Sequence, residues 1–227
     1  TYVTGRAVVK ACTELNEKIA AEGARRLNIH PERAEFDGDK VYDRTNPEIS
    51  ITLDKLAQDL VVGEGTQWLT ATASHCSPTS PPPFMAGFAE VEVDLETGET
   101  KVVDYVGVVD CGTVINKNLA RVQAEGGIAQ GIGMALWEDI NYDGHGRMVN
   151  DSFMQYKLPT RADLPPIRVE FVESYEPSGP FGAKSIGEVV INTPSPAIPS
   201  AVAHATGVYV RELPITAEKI YRGMTSR

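Results

Sequence analysis

The sequence lacks long apolar runs, and it lacks a basic leader followed by an apolar stretch. Without a long apolar run, a membrane-spanning helix is not expected, and without such a leader no secretory signal is predicted. Positive charge is also scarce, because 21 Lys and Arg stand against 31 Asp and Glu and leave a net charge of −10. We therefore expect neither nucleic acid nor a membrane as a partner, and we predict a cytoplasmic protein.

Cysteine and histidine are too few and too scattered to predict a zinc site. The three cysteines, Cys12, Cys76 and Cys111, form no CxxC pair, and the 4 histidines form no HxxxH pair. We expect reduced cysteines that serve in packing. The GxSxG elbow, the Walker A loop and a GxGxxG motif after a strand are absent as well, so three common enzyme signatures are missing.

Hydrophobic periodicity in the first half predicts helices and hairpins. Residues 4–24 carry apolar side chains at helical steps, with Thr4 as the cap. The stretch "AEFDGDKVYD" predicts a hairpin that turns at Asp37 and Gly38, and "SITLDKL" predicts a further strand. The stretch "FAEVEVD" alternates apolar and acidic residues, and "LETGET" turns it back into "KVVDYVGVVD", a more apolar and so more central strand.

The second half continues this mixture. A strand is predicted at "IRVEFVES" and a helix at residues 118–137. A helix at "PSPAIPSAVAHAT" has its prolines near the first turn and ends at Gly207, and Thr216 caps a last helix. Because strands and helices do not alternate regularly, we predict an α+β fold. Prolines and serines crowd residues 74–84, so we expect one domain in residues 1–80 and another in residues 81–227.

The helix at 118–137 contains four glycines, at positions 126, 127, 131 and 133. Each interior glycine costs about 1 kcal/mol relative to alanine. Such a helix is expected where another backbone, a sheet or a ligand approaches closely. Gln123 and Gln130 are seven residues apart and lie on the same side of this helix, either in solvent or against that ligand.

The stretch "GAKSIGEVV", residues 182–190, places Glu188 between a glycine and apolar residues. One interpretation is a solvated acid in a surface turn, paired with Lys184. The other is a general base on a hinge, because Gly182 and Gly187 let the backbone adopt unusual conformations and let another group approach. The nine residues alone do not decide between them.

Four passages, in this order, resemble the C-terminal part of the large, molybdenum-binding subunit of the xanthine dehydrogenase/aldehyde oxidase family. They are "TYVTGRAVVKA", "FAEVEVDLETGETKVVDYVGVVDCGTVIN", "QAEGGIAQGIGMALWEDINYD" and "GAKSIGEVVINTPSPAIPSAV" followed by "LPITAEKI". The third and fourth are specific to the family, and together the passages cover nearly the whole chain.

The resemblance implies roles for four residues. Glu188 would be the catalytic base, and Gln123 would hydrogen-bond the pterin of the cofactor. Gly187 would lie against the ligands of the molybdenum, and Thr1 would be the last residue of a cofactor-binding loop. The metal would be held by the pterin and not directly by protein side chains. The glycines of the helix would be explained by close packing beside that cofactor.

The resemblance also implies an activity, a xanthine dehydrogenase-like hydroxylase that inserts water-derived oxygen at an electron-poor carbon. Ser185 and Val189 replace a glycine and a proline of the common loop "GxKGVGEP", which favours a small N-heterocycle as substrate, a purine such as xanthine or a nicotinate-like compound. Two alternatives remain at this stage, an aldehyde-oxidising member and a non-catalytic cofactor-binding or assembly module. A plain α+β domain without a site would leave the glycine-rich helix unexplained.

Further expectations concern the cofactors and partners. The chain would bind molybdopterin with molybdenum, in the cytosine dinucleotide form if the enzyme is a split bacterial one. The 2Fe-2S clusters and FAD would lie on other domains or subunits. Residues 1–80 would end one molybdopterin-binding subdomain, and residues 81–227 would form the C-terminal one with the glutamate loop. The chain would be inactive until it is assembled with the rest of the subunit.

Overall fold

Buried hydrophobic clusters form on both sides of the proline-rich stretch of the sequence. The computed structural model describes residues 1–62 and 68–226. Residues 2–78 form one unit, and residues 79–227 together with Thr1 form the other. The division falls between Pro78 and Thr79, where closely spaced prolines can continue neither a helix nor a central strand.

The smaller unit packs a long helix against a three-stranded antiparallel sheet. Its elements are α1 (Tyr2–Leu27), a 3-10 turn (Pro31–Arg33), β1 (Ala34–Phe36), β2 (Lys40–Asp43), β3 (Asn46–Thr52) and α2 (Leu53–Val62). Its core holds Ile19, Val41, Leu56 and Leu60. The predicted helix is therefore longer than residues 4–24 and includes Thr4, and the predicted hairpin is confirmed as β1 and β2.

The stretch "SITLDKL" is only half a strand, which corrects the prediction. Strand β3 ends at Thr52, whose hydroxyl accepts a hydrogen bond from the Lys55 amide at 3.3 Å, as an N-cap does. Helix α2 then begins at Leu53 and buries Leu56 and Leu60. The spacing of these leucines is that of a helix face, and the strand prediction overlooked it.

The larger unit is built on a three-stranded sheet with helices on one face. Its elements are β4 (Phe84–Val93), β5 (Thr100–Asp110), α3 (Lys117–Leu136), β6 (Ile167–Phe171), a 3-10 turn (Pro180–Gly182), α4 (Val189–Asn192), α5 (Pro194–Thr206) and α6 (Ala217–Thr225). None of the helices in the described ranges of the chain is long and apolar enough to cross a bilayer.

The sheet order is β4-β5-β6, so the strand predicted to be central is central. Strands β4 and β5 pair antiparallel from Phe84↔Asp110 to Val93↔Thr100, as the hairpin pattern predicts. Strand β6 pairs parallel to β5, because the chain crosses over through α3 before it returns. The α+β class is confirmed, and this parallel pair is a feature that the hairpin patterns did not predict.

The core of the larger unit lies between β5 and the helices α3 and α5. Tyr105, Ile128, Ile132 and Ile198 are fully buried there. The hydroxyl of Tyr105 donates a hydrogen bond to the Thr193 hydroxyl at 2.9 Å, which satisfies a polar group that would otherwise be costly to bury.

Helix ends follow the sequence signals closely. The Asn116 side chain caps α3 by accepting from the Leu119 amide at 3.0 Å, and Thr216 caps α6 as predicted. Gly207 ends α5 in the left-handed conformation, also as predicted. The predicted position of Pro199 is wrong, because this proline lies inside α5 and not near the first turn of the helix.

Three of the four glycines in α3 face protein, which corrects the expectation that a cofactor explains them all. A Cβ added at Gly127, Gly131 or Gly133 would collide with Val190, Pro194 or Pro159, respectively. Only at Gly126 does an added Cβ meet nothing within 4 Å. Close packing of α3 against the α4–α5 segment therefore accounts for Gly127 and Gly131.

We expect Gly131→Ala to destabilise the protein and Gly126→Ala not to. The new Cβ at 131 would lie 2.7 Å from the Pro194 ring and 2.8 Å from the Ile191 carbonyl oxygen, and neither group can rotate away. Overpacking of this kind costs about 1–3 kcal/mol, which outweighs the gain in helix propensity. At Gly126 the propensity gain of up to about 1 kcal/mol acts alone. Urea unfolding of both variants measures the difference, and equal stability would contradict the packing account.

Candidate functional site

A cleft opens between α3 and the start of α4 in the larger unit. Its volume is about 690 Å³. Helix α3 contributes Gln123, Gly126 and Gln130, and the other wall carries Gly187, Glu188 and Asn192. The two glutamines predicted to share a side of the helix therefore do so, and both face this cleft.

Glu188 immediately precedes α4 and is exposed at the cleft. Its side chain does not cap the helix, and no side chain in the described part of the chain forms a hydrogen bond or ion pair with its carboxylate. The surface-turn interpretation paired it with Lys184, and this is wrong because Lys184 binds Asp110 instead. The acid is solvated, as that interpretation held, and it also lines the cleft.

A hydrogen bond joins helix α3 to the loop that precedes α4. The Gln123 side-chain amide donates to the Gly187 carbonyl oxygen at 3.3 Å. Two residues predicted to bind a cofactor are therefore in contact, although they are 64 positions apart in the chain. The remaining donor and acceptor of the Gln123 amide are available to a ligand in the cleft.

Thr1 lies in a second cavity, on the other side of this hydrogen bond. That cavity has a volume of about 440 Å³ and is also lined by Asn116, Gln123, Lys184 and Gly187. Gln123 and Gly187 thus belong to both cavities. The structure brings three of the predicted residues, Gln123, Gly187 and Glu188, together in the cleft and sets Thr1 in the adjoining cavity.

The sequence interpretation missed a polar network beside the adjoining cavity, which Lys184 lines. Lys184 Nζ lies 2.9 Å from Asp110 Oδ2, and the other oxygen of Asp110 accepts from the Gly112 amide at 2.9 Å and from the Ser174 hydroxyl at 2.8 Å. Burial acts to raise the pKa of Asp110, but these hydrogen bonds outweigh it and hold that pKa below its usual range. The only sequence signal was an aspartate at the end of a predicted strand, and its partner is 74 residues away.

The cysteines divide into two kinds. Cys111 is buried beside this network, and burial raises the pKa of its thiol, with a further contribution from the charge of Asp110. Cys12 and Cys76 are exposed, so the packing role predicted for all three holds only for Cys111.

Comparison with known sequences gives a family match and named relatives. The family model of the molybdopterin cofactor-binding domain matches residues 1–165. The chain is similar to the probable hypoxanthine oxidase XdhD of Escherichia coli (strain K12), with 34% identity over 221 residues that make up 97% of this chain and 23% of that protein. The chain is also 34% identical, over 217 residues, to the aldehyde oxidoreductase molybdenum-binding subunit PaoC of the same strain. That match covers 94% of this chain and 28% of the PaoC subunit.

Comparison with solved structures gives a similarity of the same kind. Quinoline 2-oxidoreductase from Pseudomonas putida 86 matches all of this chain with a TM-score of 0.82 and 28% identity, and the chain covers 30% of it. This chain therefore spans less than a third of the length of each of these relatives. The family-model match ends before the glutamate loop, whereas the similarity to these proteins extends over 94% or more of the chain.

The Asp110 network should stabilise the fold in a pH-dependent way. Because its folded pKa is lowered, the contribution is complete above the unfolded value of about 3.9 and is lost as the pH falls through the folded value. We expect Asp110→Asn to lose about 2 kcal/mol of unfolding free energy near pH 7, the size of a hydrogen bond to a charged group. The difference from wild type should shrink as the pH falls through the folded pKa of Asp110, because the wild-type carboxyl is then protonated as well.

Urea unfolding across this pH range, with the exposed Asp151→Asn as the control, measures the difference. A gap between wild type and Asp110→Asn that stays constant from neutral pH down to the lowest pH at which both proteins fold would show that ionisation of Asp110 is not its source.

Proposed function

The chain belongs to the molybdopterin cofactor-binding family of xanthine dehydrogenase/aldehyde oxidase-type molybdenum subunits, and we propose that it carries the catalytic base, Glu188, of a molybdenum hydroxylase that oxidises an N-heterocycle. The observation that carries the proposal is the unpaired carboxylate of Glu188 in a cleft shared with Gln123. Its relatives are molybdenum oxidoreductases. The chain spans less than a third of the length of these relatives. The activity of the whole enzyme, its substrate and its partners are therefore part of the proposal.

The residues of the cleft fit a pterin cofactor. Its volume of about 690 Å³ lies within the ~300–1,000 Å³ usual for small-molecule sites. Gln123, Gln130 and Asn192 offer amide donors and acceptors to a polar ring system. Gly126 leaves a flat, open surface on the helix, since an added Cβ would meet nothing within 4 Å.

We assign roles in this cleft accordingly. Gln123 hydrogen-bonds the pterin, and Gly187 lies against the ligands of the metal. Thr1 contacts the same cofactor from the adjoining cavity. When bound, the molybdenum cofactor supplies oxygen transfer and takes up two electrons, chemistry for which protein side chains have no equivalent.

Glu188 provides the proton acceptor of the reaction. A carboxylate that is exposed to the cleft and unpaired can accept the proton released as water-derived oxygen bonds to the substrate carbon. Lys184 does not compete for this carboxylate, because Asp110 holds it. Gly187 lines the cleft beside Glu188 and adds no side chain there, which leaves room for a substrate to approach the acid.

The loop and the relatives favour an N-heterocyclic substrate. Ser185 and Val189 depart from the common loop in the direction of heterocycle hydroxylases, and two of the similar proteins are named for hypoxanthine and quinoline. The alternative is an aldehyde substrate, which the equal identity to an aldehyde oxidoreductase subunit supports. Dye reduction by the assembled enzyme with xanthine, quinoline and benzaldehyde separates the two.

We propose the following assembly. Residues 81–227 form the C-terminal molybdopterin-binding subdomain, and residues 1–80 end the preceding one. The rest of the molybdenum subunit supplies the remaining cofactor contacts, and iron–sulfur and flavin domains or subunits carry the electrons away in the cytoplasm. The pterin carries a cytosine dinucleotide. A second candidate function, a non-catalytic cofactor-binding or assembly module, is favoured by the small share of each relative that the chain covers.

Replacing Glu188 with Gln tests the catalytic role. We expect turnover by the assembled enzyme to fall by about 10²–10⁴-fold, the usual contribution of a general base, with molybdenum and pterin content unchanged. The exposed Glu170→Gln on β6 is the matched control and should retain turnover. Turnover of Glu188→Gln near the wild-type value, with cofactor in place, would leave the non-catalytic module as the better account.

Replacing Gly126 with Leu tests the location of the cofactor. The new side chain would project into the cleft, and we expect the molybdenum and pterin content of the purified enzyme to fall at least about fivefold, because the ring loses its contact surface. Gly144→Leu is the matched control, since its added Cβ also meets nothing within 4 Å and it lies away from the cleft. Full cofactor content in Gly126→Leu would place the cofactor elsewhere.

A further inference from the structure

Lys184 stands four residues before Glu188, yet its ammonium is bound to Asp110. This ion pair joins the last residue of β5 to the loop at residues 182–188 that leads into α4. We propose that the Asp110–Lys184 pair is a positioning device that fixes this loop and thereby presents Glu188 to the cleft. The inference rests on the proposed function of Glu188 and adds two positioning residues to it.

The pair is largely enclosed by protein. The side chains of Lys184 and Asp110 are only 10% and 21% exposed, and Nζ lies 2.9 Å from Oδ2. The second oxygen of Asp110 is held by the Gly112 amide and the Ser174 hydroxyl. The ammonium also lies 5.3 Å from the centroid of the Phe84 ring, within reach of a cation–π contact. Lys184 therefore cannot move without leaving a partly buried carboxylate unpaired.

The backbone ties the same two segments together. The Lys184 amide donates to the Cys111 carbonyl oxygen at 2.7 Å, and the Thr113 amide donates to the Gly182 carbonyl oxygen at 2.8 Å. Gly112 adopts a φ of +72°, which lets the chain turn directly after the strand. The start of the loop is thus held by a side-chain pair and by two backbone hydrogen bonds.

The far end of the loop is held much less firmly. Gly187 is exposed and accepts one long hydrogen bond, from Gln123 at 3.3 Å. Ile186 packs against the small buried cluster that contains Val190, and in the part of the chain that the structure describes no side chain holds the Glu188 carboxylate. The backbone at Glu188 is therefore held from two sides, by the Lys184 anchor before it and by the buried Val190 after it.

Stability alone does not explain an ion pair at this place. Desolvation of two charges offsets much of their attraction, and buried ion pairs can often be replaced by apolar residues without loss of stability. An ion pair with a defined distance and direction restricts how the end of β5 and the loop before α4 meet. A loop that carries a reacting group needs such a restriction, because the group must be held in a productive geometry.

The test uses the assembled holoenzyme that contains this chain, with Lys184→Met, Lys184→Arg, Asp110→Asn and the double variant Asp110→Asn/Lys184→Met. Hydrogen exchange is measured at the amides of Gly112, Thr113 and Lys184. Dye reduction is measured with whichever of xanthine, quinoline and benzaldehyde the wild type oxidises fastest. In Lys184→Met we expect exchange to accelerate at least about tenfold and kcat to fall at least about tenfold, with KM changed less than about twofold and molybdenum content unchanged.

Two further expectations separate positioning from general stability. Lys184→Arg should recover at least about half of kcat, and the double variant should be no slower than Lys184→Met, because both changes remove the same interaction. Arg168→Met is the matched control, since it removes the more exposed ion pair with Asp104 in the same sheet, and it should change neither measurement at the loop.

Unchanged exchange, or wild-type kcat in Lys184→Met, would overturn the proposal, and so would exchange that accelerates equally along β5 and α3. Faster exchange confined to the loop, together with full turnover in Glu188→Gln, would support the anchor and refute the role proposed for Glu188. If Lys184→Met does not assemble, Asp110→Asn, which preserves the side-chain shape, is judged by the same criteria.

Discussion

The close approach of α3 to the α4–α5 segment is the constraint on which the site depends. Gly127 and Gly131 leave no side chain between the helix and Val190 or Pro194, so the two backbones can come together. This contact brings Gln123 within hydrogen-bonding distance of Gly187 and sets Glu188 across the cleft from the helix. With larger residues at these positions the helix would have to move outward, and the cleft would lose its wall.

The two acids Asp110 and Glu188 differ in their electrostatic surroundings. Asp110 forms an ion pair with Lys184 and accepts hydrogen bonds from two further donors, so its negative charge is compensated within the fold. Glu188 has no such partner among the described side chains. The role proposed for Glu188 favours an unpaired carboxylate, because an ion pair stabilises the charged form of a carboxylate and opposes its protonation.

The chain spans less than a third of the length of the similar proteins, which include proteins named for hypoxanthine, quinoline and aldehyde chemistry. The cleft wall carries Glu188, the base proposed above, together with the side-chain amides of Gln123, Gln130 and Asn192. Under the proposed function, selection among substrates falls to residues outside this chain.

Local pattern was enough to determine the α+β class, the β4–β5 hairpin, the caps of the last helices and the family, because each depends on residues close together in the chain. The motif "GAKSIGEVV" likewise pointed to Glu188, and the spacing of Gln123 and Gln130 predicted that they share a face. Only the tertiary structure decided that β6 pairs parallel to β5, that Lys184 binds Asp110 and not Glu188, and that most of the α3 glycines face protein. Each of these depends on a contact between segments far apart in sequence, and periodicity along the chain carries no information about which distant segment will fill the space beside a residue.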